Sequence, residues 1–208
     1  MKLGGLKILT NNLKLMFIQT EETPNPATLK FIPDNKIVVE DGVIEFKSQK
    51  QASAKSPLAL QLFAITGIEA VMFGKDFITI TKSGNANWDY LKPEIQATIM
   101  DFYTTNKPIL FENVANSKSE IKNSQNSNED SEIVKQIKEL IEIKVRPAVA
   151  MDGGDITFHS FEDGIVYLAL KGSCSGCPSS SITLKNGIEN MLKHYIPEVE
   201  GVEQVSDE

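Results

Sequence analysis

The stretch Gly172-Ser173-Cys174-Ser175-Gly176-Cys177-Pro178 contains both cysteines of the 208-residue chain. It follows the apolar run 165–170, which predicts a strand, and it ends at Pro178, which suits the first turn of a helix because a missing N–H costs nothing there. The unpaired N–H groups and the positive end of a helix dipole favour the thiolate form of a nearby cysteine. We therefore predict a site near the surface, between a strand and a helix, whose reactive groups are Cys174 and Cys177.

The residues around this stretch predict the order α-β-β-α-β for residues 131–208. A helix with a Ser131 N-cap precedes the glycine turn Met151-Asp152-Gly153-Gly154-Asp155, and Glu162-Asp163-Gly164 indicates a hairpin. Residues 201–205 predict a last short strand. The buried faces of the two helices are predicted from helical spacing and comprise Ile133, Val134, Ile137, Leu140, Ile141 and Val145 in the first helix, and Leu184, Ile188, Met191, Leu192 and Tyr195 in the second.

Residues 17–114 predict a second small domain of mixed strands and helices. Strands are expected over 17–20, 28–32, 68–73 and 77–81, with a further one over 38–46, and helices over 57–63 and 88–103. Residues 115–130 contain Ile121 as their only large apolar residue, so they cannot offset the entropy of ordering and predict a flexible linker. The predicted fold class is α+β, with two small mixed domains, 17–114 and 131–208, joined by this linker.

Composition limits the function classes. The chain is 41% hydrophobic and 24% charged, as in ordinary globular proteins. Its formal net charge of −7 argues against nucleic acid as a partner. No apolar run approaches the ~20 residues of a membrane span, so no membrane association is expected. Two cysteines three positions apart indicate a reducing compartment rather than a disulfide framework.

Residues 1–16 carry Lys2, Lys7 and Lys14, several leucines and no acidic residue. They lack arginine, serine and the small-residue cleavage site of a secretory signal. We interpret them as a leader or an upstream-start extension, and we predict a bacterial cytoplasmic protein. The alternative is the mitochondrial matrix, if residues 1–16 form a targeting segment.

Four kinds of site are compatible with the cysteine pair: iron–sulfur cluster binding, a redox dithiol, half of a zinc site, or structural thiols. Zinc needs four ligands, and His159 and His194 lack zinc-finger spacing. A [4Fe-4S] cluster also needs four ligands, of which one chain supplies two, so the cluster would bridge two chains or rely on other thiols. A symmetric dimer is the simplest arrangement. Thioredoxin-like exchange is typical of a βαβ context, which differs from the order predicted here.

The glycine turn 151–155, the cysteine loop 172–180 and Thr183-Leu184-Lys185 together resemble the NifU C-terminal domain of Nfu-type iron–sulfur scaffold proteins. Residues 17–31, Phe-Ile-Gln-Thr-Glu-Glu-Thr-Pro-Asn-Pro-Ala-Thr-Leu-Lys-Phe, resemble the N-terminal domain of the same family. The two resemblances cover about residues 17–103 and 131–206.

The resemblance implies a [4Fe-4S] cluster held by Cys174 and Cys177 of each subunit of a homodimer. It implies transfer of that cluster to apo iron–sulfur proteins, with upstream cluster-assembly proteins as donors. No enzymatic turnover and no catalytic residue are expected. The N-terminal domain contains no cysteine, so its implied role is to contact partners or regulate assembly.

Overall fold

The computed structural model describes residues 16–34, 36–40, 42–105, 107–111, 132–175 and 178–205. Side chains 178–181 lie outside the described part, as do residues 1–15, the predicted linker 115–130 and the predicted N-cap Ser131. The chain forms two sheets with helices packed on them, so the α+β fold class is confirmed. Among the described helices, none is long and apolar enough to cross a membrane.

The N-terminal unit, residues 16–111 as described, has a five-stranded antiparallel sheet in the order β1-β2-β5-β4-β3. Its elements are β1 (Ile18–Glu22), β2 (Thr28–Pro33), β3 (Ile44–Phe46), α1 (Gln49–Lys55), α2 (Pro57–Phe63), β4 (Ile68–Phe73), β5 (Ile78–Lys82) and α3 (Trp88–Thr104).

One face of this sheet forms a hydrophobic core with the three helices. Strand residues alternate between the two faces, so Phe31, Phe73 and Ile80 point into the core with Leu62 and Ile99 of the helices. Each of these five side chains is inaccessible to solvent. The opposite face of the sheet is mostly polar, although Ile32, Ala70 and Met72 also lie on it, and it contacts the C-terminal half of the chain.

The C-terminal unit, residues 132–205 as described, has a three-stranded sheet in the order β6-β7-β8. The hairpin of β6 and β7 is antiparallel, whereas β8 lies parallel to β7 after a helical crossover. Its elements are α4 (Glu132–Leu140), a π-helical turn (Ile141–Val145), α5 (Arg146–Met151), β6 (Gly154–Glu162), β7 (Ile165–Gly172), α6 (Pro178–Tyr195) and β8 (Gly201–Val205).

The core of the C-terminal unit is separate from that of the N-terminal unit. It joins Ile141 and Val149 of the first helical segment to Leu168 of β7 and Leu192 of α6, and it includes Cys174. At the π-helical turn the Arg146 N–H donates to the carbonyl of Ile141, five residues back. Such π-helical turns are rare in proteins, and those that occur are often found at functional sites.

The strands and helices of the C-terminal unit lie where the sequence predicted them, but Tyr195, predicted to lie on the buried face of α6, is 51% exposed. In the N-terminal unit two predictions were inaccurate. Helix α1, Gln49–Lys55, was not predicted, because its sequence is polar and buries only Ala52. The strand expected over 38–46 is limited to Ile44–Phe46. The domain boundaries, including the linker 115–130, stay predictions.

Candidate functional site

The first cysteine lies immediately after β7, in a turn that begins at Gly172. Gly172 has a φ of +64°, a conformation that non-glycine residues rarely adopt. Its carbonyl accepts hydrogen bonds from the Ser175 N–H at 3.1 Å and from Ser175 Oγ at 2.9 Å. These bonds close a tight turn over residues 172–175, which contains Cys174.

The glycine turn, residues 151–155, packs directly against this cysteine turn. The Ser173 N–H donates to the Gly153 carbonyl at 3.2 Å, and Ser173 Oγ donates to the carbonyl of Asp152. A Cβ on Gly154 would lie 2.5 Å from Cys174 Sγ, so only glycine leaves room for the sulfur. The two motifs that the sequence pointed to, about twenty residues apart, are therefore one site.

Cys174 is buried, with 7% of its surface exposed, and it packs into the C-terminal core. Burial raises the pKa of its thiol, a hydrogen bond with Ser173 partly offsets this effect, and the carboxylates of Asp152 and Asp155 add to it. The predictions of a near-surface sulfur and of a stabilised thiolate are therefore wrong for Cys174 in this conformation. The physical reason is that desolvation outweighs the favourable polar contacts.

Cys177 and Gly176 lie outside the described residues, so the second sulfur stays a prediction. His159 and His194 are exposed, on β6 and α6 respectively. Within the described part of the chain, no group of three or more His, Cys, Asp or Glu side chains could hold a metal ion.

Arg146 contacts the first residues of β6, where the glycine turn ends. Its Nη1 lies 2.6 Å from Glu142 Oε1, its Nε lies 3.1 Å from Asp155 Oδ1, and its Nη2 donates to the carbonyl of Ile156 at 3.0 Å. Asp155 is 6% exposed, and burial raises its pKa although Arg146 lowers it. The arginine therefore ties the π-helical turn to the first residues of β6. Sequence analysis did not identify this role.

The N-terminal unit also reaches the site, through one row of residues that runs across its sheet. Glu21, Lys30, Thr79, Met72 and Glu45 are successive cross-strand partners on β1, β2, β5, β4 and β3, and we call them the cross-strand row. They occupy the sheet face opposite the helices. The sequence does not point to this row, because its charged and hydroxyl members are typical of solvent-facing strand positions and Met72 alone does not indicate a partner.

Three hydrogen bonds join the cross-strand row to backbone atoms of the C-terminal unit. Thr79 Oγ1 donates to the Gly153 carbonyl at 2.8 Å, and Lys30 Nζ donates to the Met151 carbonyl at 3.1 Å. The Gly172 N–H donates to Glu45 Oε1 at 2.9 Å. The row thus contacts both the glycine turn and the residue that begins the cysteine turn.

Comparison with known proteins identifies the family. Residues 18–107 match the scaffold protein Nfu/NifU N-terminal family, and residues 137–203 match the NifU-like domain family. The chain belongs to the Nfu/NifU family.

Two curated relatives of this Nfu/NifU chain cover most of its length. One, "NFU1 iron-sulfur cluster scaffold homolog, mitochondrial" from Homo sapiens, is 52% identical over 94% of this chain and 74% of its own length. The other, "NifU-like protein 4, mitochondrial" from Arabidopsis thaliana, is 51% identical over 93% of this chain and 68% of its own length. A solved NifU-like protein from Saccharomyces cerevisiae is 29% identical, with a TM-score of 0.44 over 49% of this chain and 90% of that one.

These names correct the predicted location. Both curated relatives are named mitochondrial, as are further relatives from Drosophila persimilis and Arabidopsis thaliana. The prediction of a bacterial cytoplasmic protein is therefore wrong, and the comparisons point to mitochondria. Composition and the cysteine pair indicated only a reducing compartment, which the cytoplasm and the mitochondrial matrix share.

Proposed function

We propose that this protein is an iron–sulfur cluster scaffold and carrier, which holds a [4Fe-4S] cluster as cargo between two copies of itself. Membership of the Nfu/NifU family supports the scaffold function, since relatives carry that name. One structural observation carries the proposal for the site: the glycine turn and the cysteine turn meet at Cys174. The ligands that we assign are Cys174 and Cys177.

The donor chemistry fits such a cargo. Cysteine thiolates are the usual ligands of iron–sulfur clusters, and a [4Fe-4S] cluster takes four of them. Cys174 and Cys177 are the two cysteines of the sequence, and no other group of potential ligands forms among the described residues. Two copies related by a two-fold axis supply the full set, so we propose a homodimer that depends on the cluster.

Cargo binding requires Cys174 to change its environment. In the described conformation the sulfur packs against Gly154 inside the core. To ligate iron, Cys174 must lose its proton and turn toward the second copy. The same packing competes with the cluster for the sulfur, which favours release to a recipient whose own thiols replace these ligands. We propose apo iron–sulfur proteins as recipients and upstream cluster-assembly proteins as donors, with no enzymatic turnover.

Thiol–disulfide exchange by the same cysteine pair is less well supported. Exchange proceeds through the thiolate, and burial raises the pKa of Cys174. Cluster binding needs the same thiolate, so this pKa does not separate the two functions, and the scaffold names of the relatives favour the carrier.

Anaerobic reconstitution with iron and sulfide tests the proposed function. We expect sulfur-to-iron charge-transfer absorbance and bound iron and sulfide in the wild type, and loss of all three in Cys174→Ser and in Cys177→Ser. Ser160→Ala is the matched control, because Ser160 lies on β6 outside both turns, and this variant should retain the cluster. Full iron and sulfide content in either cysteine variant would refute the assigned ligands.

A further inference from the structure

Contacts with the cysteine site bury most of the cross-strand row. Met72 and Thr79 are each 1% exposed, and the Glu45 side chain is 8% exposed, although all three lie on the sheet face away from the helices. Met72 approaches Gly172 so closely that a Cβ there would lie 2.5 Å from its Cε. Lys30 lies over the ring of Phe77, 5.1 Å from its centroid, and bonds to Met151. The part of this face from Lys30 to Glu45 is therefore covered, whereas the Glu21 side chain at the other end of the row is 39% exposed.

The contacts hold both backbone segments that enclose the sulfur of Cys174. One segment is the glycine turn, where Thr79 binds the carbonyl of Gly153, immediately before the Gly154 that touches Sγ. The other is the end of β7, where Glu45 binds the N–H of Gly172, two residues before Cys174. The Gly153 carbonyl also accepts the Ser173 N–H, so one oxygen joins both segments to the N-terminal sheet.

We propose that the N-terminal sheet is a removable cover that keeps Cys174 buried, and that it must leave the cysteine turn before the sulfur can serve another molecule. The cross-strand row is the contact surface of this cover, with Thr79 and Glu45 as its hydrogen-bonding groups. A regulatory role for this cover rests on the proposed function, because a second copy must reach the same cysteine turn in order to share a cluster. The closed arrangement then stores a protected thiol until a partner displaces the sheet.

The cover predicts that loosening the row exposes Cys174 in the full-length, metal-free chain. Thr79→Val removes the donor to Gly153 while keeping side-chain volume, and Glu45→Ala removes the acceptor for Gly172. Thr81→Val is a matched control, because Thr81 lies on the same strand and face but pairs with Thr28 within the N-terminal unit. Glu69→Ala is the second control, because Glu69 is an exposed residue of β4.

The measurement is the rate at which iodoacetamide modifies Cys174, followed by mass spectrometry under anaerobic conditions in a Cys177→Ser background. We expect Thr79→Val and Glu45→Ala each to accelerate modification about fivefold, the factor that corresponds to ~1 kcal/mol for one hydrogen bond. Thr79→Ser, which keeps the hydroxyl, should retain the wild-type rate, as should both controls. Thermal melts identify the variants that remain folded. If only one of the two interface variants, Thr79→Val or Glu45→Ala, remains folded, that variant alone is enough for the test.

Equal rates in the wild type and the folded interface variants would overturn the cover, and so would an equal acceleration in the controls, since that would reflect general loosening. Because the protein contains no cluster in this experiment, the result does not depend on whether Cys174 ligates iron. Loss of the proposed function would appear separately, as failed reconstitution of the wild type.

Discussion

The Glu45 carboxylate accepts a hydrogen bond from the backbone N–H of Gly172 at 2.9 Å, although the two residues lie 127 positions apart in the chain. Glu45 ends the cross-strand row on β3, and Gly172 is the last residue of β7. The bond therefore joins a strand of the N-terminal sheet to the first residue of the cysteine turn. It makes the geometry of the site dependent on a unit that contributes no sulfur.

Hydrogen exchange at Gly172 should report this bond. In Glu45→Ala the Gly172 N–H loses its acceptor, and we expect its exchange rate to rise about fivefold, as the loss of ~1 kcal/mol implies. Amide exchange followed by NMR measures this rate directly. Amides in β8 serve as internal references and should keep their rates, and an unchanged Gly172 rate would show that the carboxylate does not protect it.

Replacing Arg146 should destabilise the fold through Asp155. Arg146→Met leaves a buried carboxylate without its cation, and we expect a loss of about 2–3 kcal/mol in the free energy of unfolding at neutral pH. Lys135→Met, at an exposed position of α4, should change this free energy by less than about 0.5 kcal/mol. Urea denaturation of both variants measures the difference.

The cost of Arg146→Met should depend on pH. Burial already holds the pKa of Asp155 above its ordinary value, and losing the arginine raises that pKa further. A carboxyl group with a higher pKa in the folded chain than in the unfolded chain favours the folded state less as the pH rises between the two values. The destabilisation should therefore be smaller near pH 4 than at pH 7. An equal or larger loss in acid would contradict this explanation.

Glu189 should stabilise the C-terminal unit, and this stabilisation should weaken as the pH falls, whereas that from a carboxyl group with a raised pKa weakens as the pH rises. Its Oε2 accepts the Val202 N–H at 3.2 Å and its Oε1 pairs with Lys193 at 2.6 Å, and these contacts lower its pKa. The stabilisation is present above the ordinary glutamate pKa and is lost as the pH falls through the lowered value. Glu189→Gln should therefore cost roughly 0.5 kcal/mol at pH 7 and less at pH 3.

Denaturation curves at the two pH values test the role of Glu189, with Glu198→Gln at an exposed position as the control. The control should match the wild type at both values. A Glu189→Gln effect that persists undiminished in acid would show that the glutamate contributes through packing and not through its charge.

Removing the hydroxyl of Tyr103 should not destabilise the N-terminal unit. This hydroxyl is buried and has no hydrogen-bond partner among the described residues, and burial raises the Tyr103 pKa to about 12. A buried polar group without a partner costs free energy, so Tyr103→Phe should leave stability unchanged or raise it by up to about 1 kcal/mol.

Alkaline titration gives a second measure of Tyr103. Because its pKa is higher in the folded chain, the unfolded chain ionises first, and the wild type should lose stability as the pH rises from 10 toward 12. Tyr103→Phe should lose less stability over this interval. Tyr90→Phe, at a position 80% exposed, should behave as the wild type, and a destabilised Tyr103→Phe would indicate a partner for the hydroxyl.

The sequence predicted the C-terminal unit well because its signals are local. Helical spacing, two glycine-containing turns and Pro178 specify element boundaries without reference to the rest of the chain. Helix α1 was missed because Gln49–Lys55 has no apolar stripe and depends on the Ser48 cap, whose side chain accepts the Gln51 N–H. Its formation reflects tertiary packing of Ala52.

The site was predicted in part, for a physical reason. The spacing of Cys174 and Cys177 predicts a thiol site, but the depth of a sulfur depends on which backbone segments close over it. Gly154 closes over Cys174 from another strand, and Thr79 and Glu45 hold that arrangement from the other unit. Such contacts join residues far apart in sequence, and a single polar residue on a strand gives no indication of its partner.

The most direct test of the proposed carrier function is native mass spectrometry of anaerobically reconstituted protein, which counts chains and iron atoms in one particle. Two copies that each offer Cys174 and Cys177 should give a dimer with four iron and four sulfide, which separates into monomers when a chelator removes the iron. A single chain that retains all four irons would contradict the account, because one copy would then hold the cluster without a second.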